Sequence, residues 1–354
     1  MRRLAVTRAH RGPVRFTPGA DPATNVTAVP CVRVDREAGE QTRARLAETG
    51  LLDRDHEISH DDGHLYIPVT DADAAGHEGY TVVTYDAPRR ETQTTPADLL
   101  SFEPSYERIG ETALVDEDDP ERARALADAL VASDIPVETV LDRASKVKGR
   151  ERVREWTPLV GDDTEVVHRE HGSEFVLDLA AVYFSPRLAT ERHRVTRQVS
   201  AGDRVFDMFA GVGPFAVPFA RRGATVVATD INETAIAYLR ENADRNGVGD
   251  RITAIQGDVT AVAPEYEGWA DRLVMNLPHT AEEFLDTAVT LAGDECRVHY
   301  YDMAPEDDRF GPGERAVRAA AEPTYDVTVE TTRTVRSYSP HEYNVVLDVL
   351  LQRC

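Results

Sequence analysis

Residues 204–232 read RVFDMFAGVGPFAVPFARRGATVVATDIN, and residues 273–278 read LVMNLP. A short apolar run, Val205 to Phe209, leads into Gly211-Val212-Gly213, then a helical segment, then a second apolar run that ends on Asp230. That order of strand, glycine turn, helix, strand and acid is the layout of a nucleotide-binding half. The glycines let backbone approach a ligand closely, and Asp230 is placed to accept hydrogen bonds from a ribose. The stretch departs from a dinucleotide fingerprint: Pro214 follows the second glycine, no third glycine stands where the helix meets the strand, and Asp207 precedes the turn. An adenosine ligand without a pyrophosphate fits these departures better, which points to S-adenosyl-L-methionine.

At 354 residues the chain is long for a single core, so two or three domains are expected. No apolar stretch is long enough to span a bilayer, which predicts no membrane partner. Cys31, Cys296 and Cys354 lie far apart with no CxxC pair, so neither a disulfide framework nor a metal site is expected, and a reducing cytoplasmic location is the simplest reading. The basic N-terminus lacks the apolar segment of a secretory signal, and residues 1–27 read as a disordered extension.

The net charge of −23 argues on its face against a polyanionic partner. The acids are diffuse, however, and Lys146 and Lys148 are the only lysines among 40 basic residues, a composition that suits a salt-rich cytoplasm and a soluble monomer. Two stretches reverse the sign: RASKVKGRERVR at 143–154, with six basic residues and one acid, and RLATERHRVTR at 187–197, with four arginines and one glutamate. Two basic islands in an acidic chain predict a nucleic-acid path.

Pattern divides the chain into a small N-terminal domain at 28–90, a middle α+β domain at 91–199 and a catalytic α/β domain at 200–354. The first holds strands around VPCVRV, HLYIPV and GYTVVTYDA and a helix over 38–51; a polar, proline-containing segment follows. The second holds a helix at 119–133 with an acidic start, strands in EVVHRE and EFVLDLA, and a closing helix at 185–199. The third alternates strands (204–209, 225–229, 251–256, 272–276, 297–301) with helices, then ends in two strand-like runs expected to pair antiparallel, giving a mostly parallel seven-stranded sheet.

Two further segments carry candidate chemistry. In VYFSPRLATERHR, Tyr183 and Phe184 precede a proline-started helix holding Glu191 and Arg192, with Arg187, Glu191 and Val195 at helical spacing. An aromatic beside a carboxylate and arginines supplies a stacking surface, a proton acceptor and an oxygen-binding cation, as a flipped base requires. Asn276-Leu277-Pro278 ends the presumed fourth strand, at the ligand side of such folds. Its amide can donate and accept, so it can read a base edge. The segment lacks a second proline and a following aromatic, the arrangement resembling enzymes that methylate exocyclic amines, which points to a ring nitrogen.

Taken together, the segments at 31–58 and 64–69, SKVKGRERVRE, VHREHGSEFVLDLAAVYFSPRLATER, DMFAGVGPFAV, ATDIN, QGDV, VMNLPHTAEEFLD, VHYYD and VRSYSPHEYNVVLDV resemble the archaeal and eukaryotic-type tRNA (guanine-37, N1) methyltransferases. The acidic composition makes it similar to a haloarchaeal member. The resemblance implies a class I, Rossmann-like S-adenosylmethionine-dependent methyltransferase domain preceded by two smaller α+β domains, the first checking the outer corner of the tRNA. It implies that Glu191 is the general base for the guanine N1 proton and that Arg152 or Arg154 holds charge on O6. It places Tyr183, Asn276 and Pro278 around the flipped base, and Arg192, Phe209, Gly211, Gly213, Asp230, Ile231, Asp258 and Asn276 along the methyl-donor pocket. Two related reactions at the same position stay open: aminocarboxypropyl transfer, and carbon methylation in the wyosine pathway. A binding-only tRNA module is disfavoured by the survival of Glu191, Asp230 and Asn276.

Overall fold

The computed structural model describes residues 26–90, 93–143, 149 and 154–354. Arg152 and most of the first basic island lie outside the described residues, as does the expected extension up to residue 25. Contacts divide the chain into two compact units, with the boundary between Gln93 and Thr94.

In the first unit, β1 (Val26–Asp35), α1 (Gly39–Glu48), β2 (Ser59–Asp61), β3 (His64–Pro68), α2 (Ala72–His77) and β4 (Val82–Pro88) build an antiparallel sheet of order β2-β3-β1-β4. Val32, Leu46, Ile67, Val69 and Ala75 form its buried core. β1 starts two residues before the expected domain start at residue 28, because Val26 and Thr27 pair with Pro88 and Ala87.

The second unit begins with α3 (Pro96–Leu99), β5 (Tyr106–Ile109), β6 (Thr112–Val115), α4 (Pro120–Ala132), β7 (Thr139–Arg143) and β8 (Trp156–Val160), whose strands form a sheet of order β5-β6-β7-β8. Asp119 caps α4 by accepting from the amides of Glu121 and Arg122, and Pro120 occupies the first turn, where its missing N–H costs nothing. The hairpin β9 (Glu165–Glu170) and β10 (Ser173–Asp178) follows, then a 3-10 turn at Pro186–Leu188 running into α5 (Ala189–Thr196). From Thr94 onward, the segments 91–199 and 200–354 that the sequence sets apart fall within this one unit. Ile109, Leu114, Leu141 and Phe175 share a buried cluster with Val205, Phe219 and Val226.

The large sheet comprises β11 (Arg204–Asp207), β12 (Thr225–Asp230), β13 (Ile252–Gln256), β14 (Ala270–Met275), β15 (Ala292–Pro305), β16 (Tyr325–Ser339) and β17 (Glu342–Arg353), in the order β13-β12-β11-β14-β15-β17-β16. Helices α6 (Ala216–Arg221), α7 (Glu233–Arg245), α8 (Val259–Val262), α9 (Leu285–Leu291) and α10 (Gly311–Ala321) complete the unit. Pairs among β11 to β15 are parallel, and β17 pairs antiparallel with both β15 and β16. The strand order reverses between β11 and β14, and ligands of such sheets bind beyond the carboxyl ends of the strands at that switch. β15 runs four residues past its expected end at Tyr301, because β17 pairs with it in unbroken register from Glu295–Gln352 to Pro305–Glu342. Among the described residues no helix is long and apolar enough to cross a membrane.

Candidate active site

The turn after β11 is held open by conformation and by one acid. Gly211 and Gly213 have φ of 54° and 87°, the left-handed region that side chains disfavour. The two glycines differ in purpose. A Cβ on Gly211 would meet only the Tyr183 carbonyl, at 3.9 Å, so its absence leaves room on the ligand side. A Cβ on Gly213 would press on Leu239 Cγ at 3.1 Å and Val217 Cγ2 at 3.3 Å. Gly213 therefore supplies the tight packing for which the sequence lacked a third glycine. Asp230 ends β12, and its carboxylate accepts from the amides of Gly211 (2.8 Å) and Asn232 (2.9 Å), locking the turn to the strand end.

Around this turn lies a cavity of about 660 Å³, within the size range of small-molecule sites. Tyr183, Arg192, Phe209, Gly211, Asp230, Ile231, Asp258, Asn276 and Pro278 all line it, while Gly213 and Glu191 do not. Phe209 meets Phe284 edge-on at 5.0 Å, giving one apolar wall. Asp258 caps α8 through the Thr260 amide (3.1 Å) and hydroxyl (2.8 Å). The Pro278 carbonyl accepts from the Met303 amide at 3.1 Å, which pins the loop after β14 to β15.

Beneath the turn, Asp207 is buried. Burial pushes its carboxyl up to about 7, and the negative charge of Asp230 adds to the effect. The backbone N–H groups of Phe209 and Ala216 face Asp207 and pull the other way, although neither makes a hydrogen bond of ordinary geometry.

Arg192 borders the cavity with its guanidinium already engaged. It donates to both oxygens of Glu170 (2.8 and 2.5 Å) and to the Ser185 carbonyl (3.0 Å). Burial alone would raise the Glu170 carboxyl, but hydrogen bonds from Arg192 and His168 outweigh it and hold the group at about 2. Glu191, expected at helical spacing from Arg187, instead sits in a buried clamp. It accepts from Arg194 Nε (2.9 Å) and Nη2 (2.7 Å) and from the Tyr301 hydroxyl (2.9 Å), while Arg187 pairs with Glu107 at 2.5 Å. Arg194 reaches on to Asp348 at 2.5 Å, and Asp348 meets His299 Nδ1 at 2.6 Å. Burial would raise Asp348 too, but its bonds to His299 and Arg194 keep it well below the usual carboxylate range.

Three arginines of the second basic island are spent on carboxylates: Arg192 and Arg194 on Glu170, Glu191 and Asp348 in the interior, and the exposed Arg187 on Glu107. Arg197 is the exception and is exposed. Of the two candidate arginines for O6, Arg154 is described. It lies over the Trp156 ring at 5.4 Å, and burial followed by repulsion from Arg143 disfavours its charge.

Sequence reasoning missed two asparagines of α7. Asn232 caps the helix by accepting from Thr234 and Ala235, and its amide donates to the Ala181 carbonyl at 2.8 Å, fixing the turn after β10 that leads to Tyr183. Asn242, fully buried, donates to the carbonyls of Val176 (3.1 Å) and Val212 (3.0 Å), joining β10 to the glycine turn. A polar residue on the apolar face shared by Ala235 and Leu239 was the available signal for Asn242. Asn344 on β17, buried and bordering the cavity, lay in a run that reads as plain strand.

The TRM5/TYW2 methyltransferase domain model matches residues 166–330, and the model of the tRNA methyltransferase 5 N-terminal domain matches residues 31–75. The tRNA (guanine(37)-N(1))-methyltransferase Trm5b of Pyrococcus abyssi is 38% identical over 90% of this chain and 97% of its own. The chain belongs to the Trm5 family. The crystal structure of the Pyrococcus Trm5b superposes with a TM-score of 0.71 over 92% of this chain and 99% of that one. The aTrm5 of a complex with tRNALeu, 31% identical, does so at 0.69 over 91% and 99%. A wyosine-pathway aminocarboxypropyltransferase of Pyrococcus horikoshii is 33% identical, covering 72% of this chain and 92% of its own.

Trm5 proteins are methyltransferases dependent on S-adenosylmethionine, and the cavity residues fit that cofactor. Asp230 would take ribose hydroxyls, Phe209, Ile231 and Val259 offer apolar surface for a base, and Asp258 offers an acceptor at its edge. The open approach over Gly211 gives the turn room for the remainder.

Proposed function

We propose that this chain transfers a methyl group to N1 of the guanine at position 37 of tRNA. The observation that carries the reading is that Tyr183, Asn276 and Pro278 face the same cavity as Asp230 and Gly211, so base-holding and cofactor-holding groups share one space. S-adenosylmethionine supplies an electrophilic methyl group there. Guanine N1 carries a proton at neutral pH, and a carboxylate must accept it as the new bond forms. Tyr183 offers a stacking face, worth roughly 1–3 kcal/mol against the cost of extracting the base. The Asn276 side chain makes no hydrogen bond to the described residues, leaving its donor and acceptor available to a base edge.

Glu191 is the proposed base, with Arg154 or Arg152 as the cation for O6. In its clamp the Glu191 carboxylate faces Arg194 and Tyr301, so it reaches N1 only by turning towards the cavity when RNA enters. Catalytic hydrogen bonds commonly form only in the substrate complex. Arg194 retains Asp348 as a partner after such a turn, which lowers the cost of the movement.

The match at 31–75 and the alignment over nearly all of the Pyrococcus Trm5b support N1 methylation over aminocarboxypropyl transfer, whose relative aligns over less of the chain. In the same proposal, residues 28–90 recognise tRNA shape and contribute no chemistry. Residues 91–199 and 200–354 carry the middle and catalytic functions. The enzyme works as a cytoplasmic, RNA-binding monomer without a membrane partner, in a salt-rich cell whose ionic strength suits its net charge of −23. Incubating purified enzyme with an unmodified tRNA transcript and S-adenosylmethionine, followed by mass analysis of the nucleosides, tests the reaction. Methylation at N1 of guanine 37, lost when that guanine is replaced, is the expected result; a product elsewhere or an aminocarboxypropyl adduct would refute it.

A further inference from the structure

A smaller cavity of about 150 Å³ adjoins the first, and the two share the lining residues Tyr183, Phe184, Ser185 and Arg336. Of these four only Arg336 is charged. It sits on β16 opposite Asn344 of β17. Among the described residues its guanidinium has no hydrogen bond or ion pair, and its Nε is closed off from solvent without a partner. In a chain of net charge −23, with carboxylates abundant elsewhere, an arginine that none of the described carboxylates engages is a cation open to an anionic ligand.

The rest of the smaller cavity points the same way. Arg143, Arg154 and Arg187 line it alongside a single carboxylate, Glu107, which Arg143 and Arg187 share. Arg154 lies over the Trp156 ring at the same cavity, where a base edge entering from the first cavity would meet it. The space is large enough for a phosphate group with waters around it. None of Gly211, Asp230 and Asp258 borders it, which separates it from the methyl donor's end of the larger cavity.

We propose that this second cavity, with Arg336 at its junction with the first, binds a phosphodiester beside the flipped guanine. The inference rests on the tRNA reading above. A nucleotide extruded by rotation about its backbone carries its flanking phosphates with it. The planar arginine fork binds such a group through paired charge-assisted hydrogen bonds. Because Arg336 touches both cavities, a phosphate anchored on one side fixes how far the base enters the other.

The test uses the full chain and anticodon stem-loop RNAs, each carrying one neutral methylphosphonate at a single linkage next to guanine 37. Methylation of the unsubstituted RNA by wild-type enzyme checks the activity reading separately. One particular neutral linkage is expected to weaken wild-type binding about tenfold, and Arg336→Gln to weaken the unsubstituted RNA about tenfold, near 1.4 kcal/mol each. Combined, the two changes should cost no more than either alone, with S-adenosylmethionine affinity unchanged and Arg336→Lys recovering much of the loss. If the variant stays as sensitive to every neutral linkage as the wild type, or if it loses cofactor affinity instead of RNA affinity, the proposal is overturned.

Discussion

The Tyr301 hydroxyl donates to Oε1 of Glu191 at 2.9 Å, on the side of that carboxylate not held by Arg194 Nε. Both residues are buried, so the candidate base is held out of the cavity by a phenol and a guanidinium together. Glu191→Gln retains the size of the side chain but removes the proton acceptor. Single-turnover methylation should fall by about 10²–10⁴, with tRNA and cofactor affinity nearly unchanged. Tyr301→Phe, which leaves the carboxylate on Arg194, should cost less than about tenfold. A Gln variant that methylates at near wild-type rate would make the clamp purely structural and send the search for the base elsewhere.

Asp230 carries two loads, a ribose and the glycine turn. Asp230→Ala should weaken S-adenosylmethionine binding at least tenfold, roughly the 1.4 kcal/mol of a lost charged hydrogen bond. Because its two oxygens also accept from Gly211 and Asn232, Asp230→Asn should fall between wild type and Ala by keeping one acceptor. Isothermal titration of the folded variants measures this, and equal affinity in all three would remove Asp230 from the site.

The cofactor half was legible because its signals are local. Gly211, Asp230 and Asn276 stand at fixed offsets from strand ends, and the alternation of strand and helix decides which end of the sheet they occupy. The clamp was not legible. Glu191 and Tyr301 are brought together across 110 positions, and Arg194 and Asp348 across 154, where α5 meets the paired strands β15 and β17. Helical spacing offered Arg187 as the partner of Glu191, but the 3-10 turn at Pro186–Leu188 takes Arg187 towards Glu107 before α5 begins. Charge runs misled for a related reason. A run of arginines marks a solvated path only if the fold leaves them unpaired, and Arg192 and Arg194 are paired by residues remote in sequence.

The excess of acid and the pairing of Arg187, Arg192 and Arg194 with carboxylates leave few cations for phosphate. RNA affinity that depends on a small number of such contacts, supplemented by stacking on Tyr183, declines less with salt than that of an ordinary basic RNA-binding protein. Activity should persist, or be maximal, near molar salt. A rate profile across potassium chloride concentrations decides it, and a maximum below about 0.2 M, where ordinary phosphate-binding proteins still bind well, would count against both the salt adaptation and this division of labour.

Asp207 gives a stability prediction with a definite sign. Its carboxyl lies at about 7 in the folded chain, against about 3.9 when unfolded. Between those values the folded state binds the extra proton, so this residue's contribution to stability falls as pH rises through that window, by an amount on the order of 4 kcal/mol. Asp207→Asn retains the shape of the protonated acid and cannot ionise. The variant should match the wild type in urea unfolding near pH 4.5 and exceed it in stability at pH 8, the gap opening between the two. A gap of the opposite sign, or one independent of pH, would show that the buried carboxylate is compensated by its surroundings. The amides of Phe209 and Ala216 would then be its hydrogen-bond donors after all.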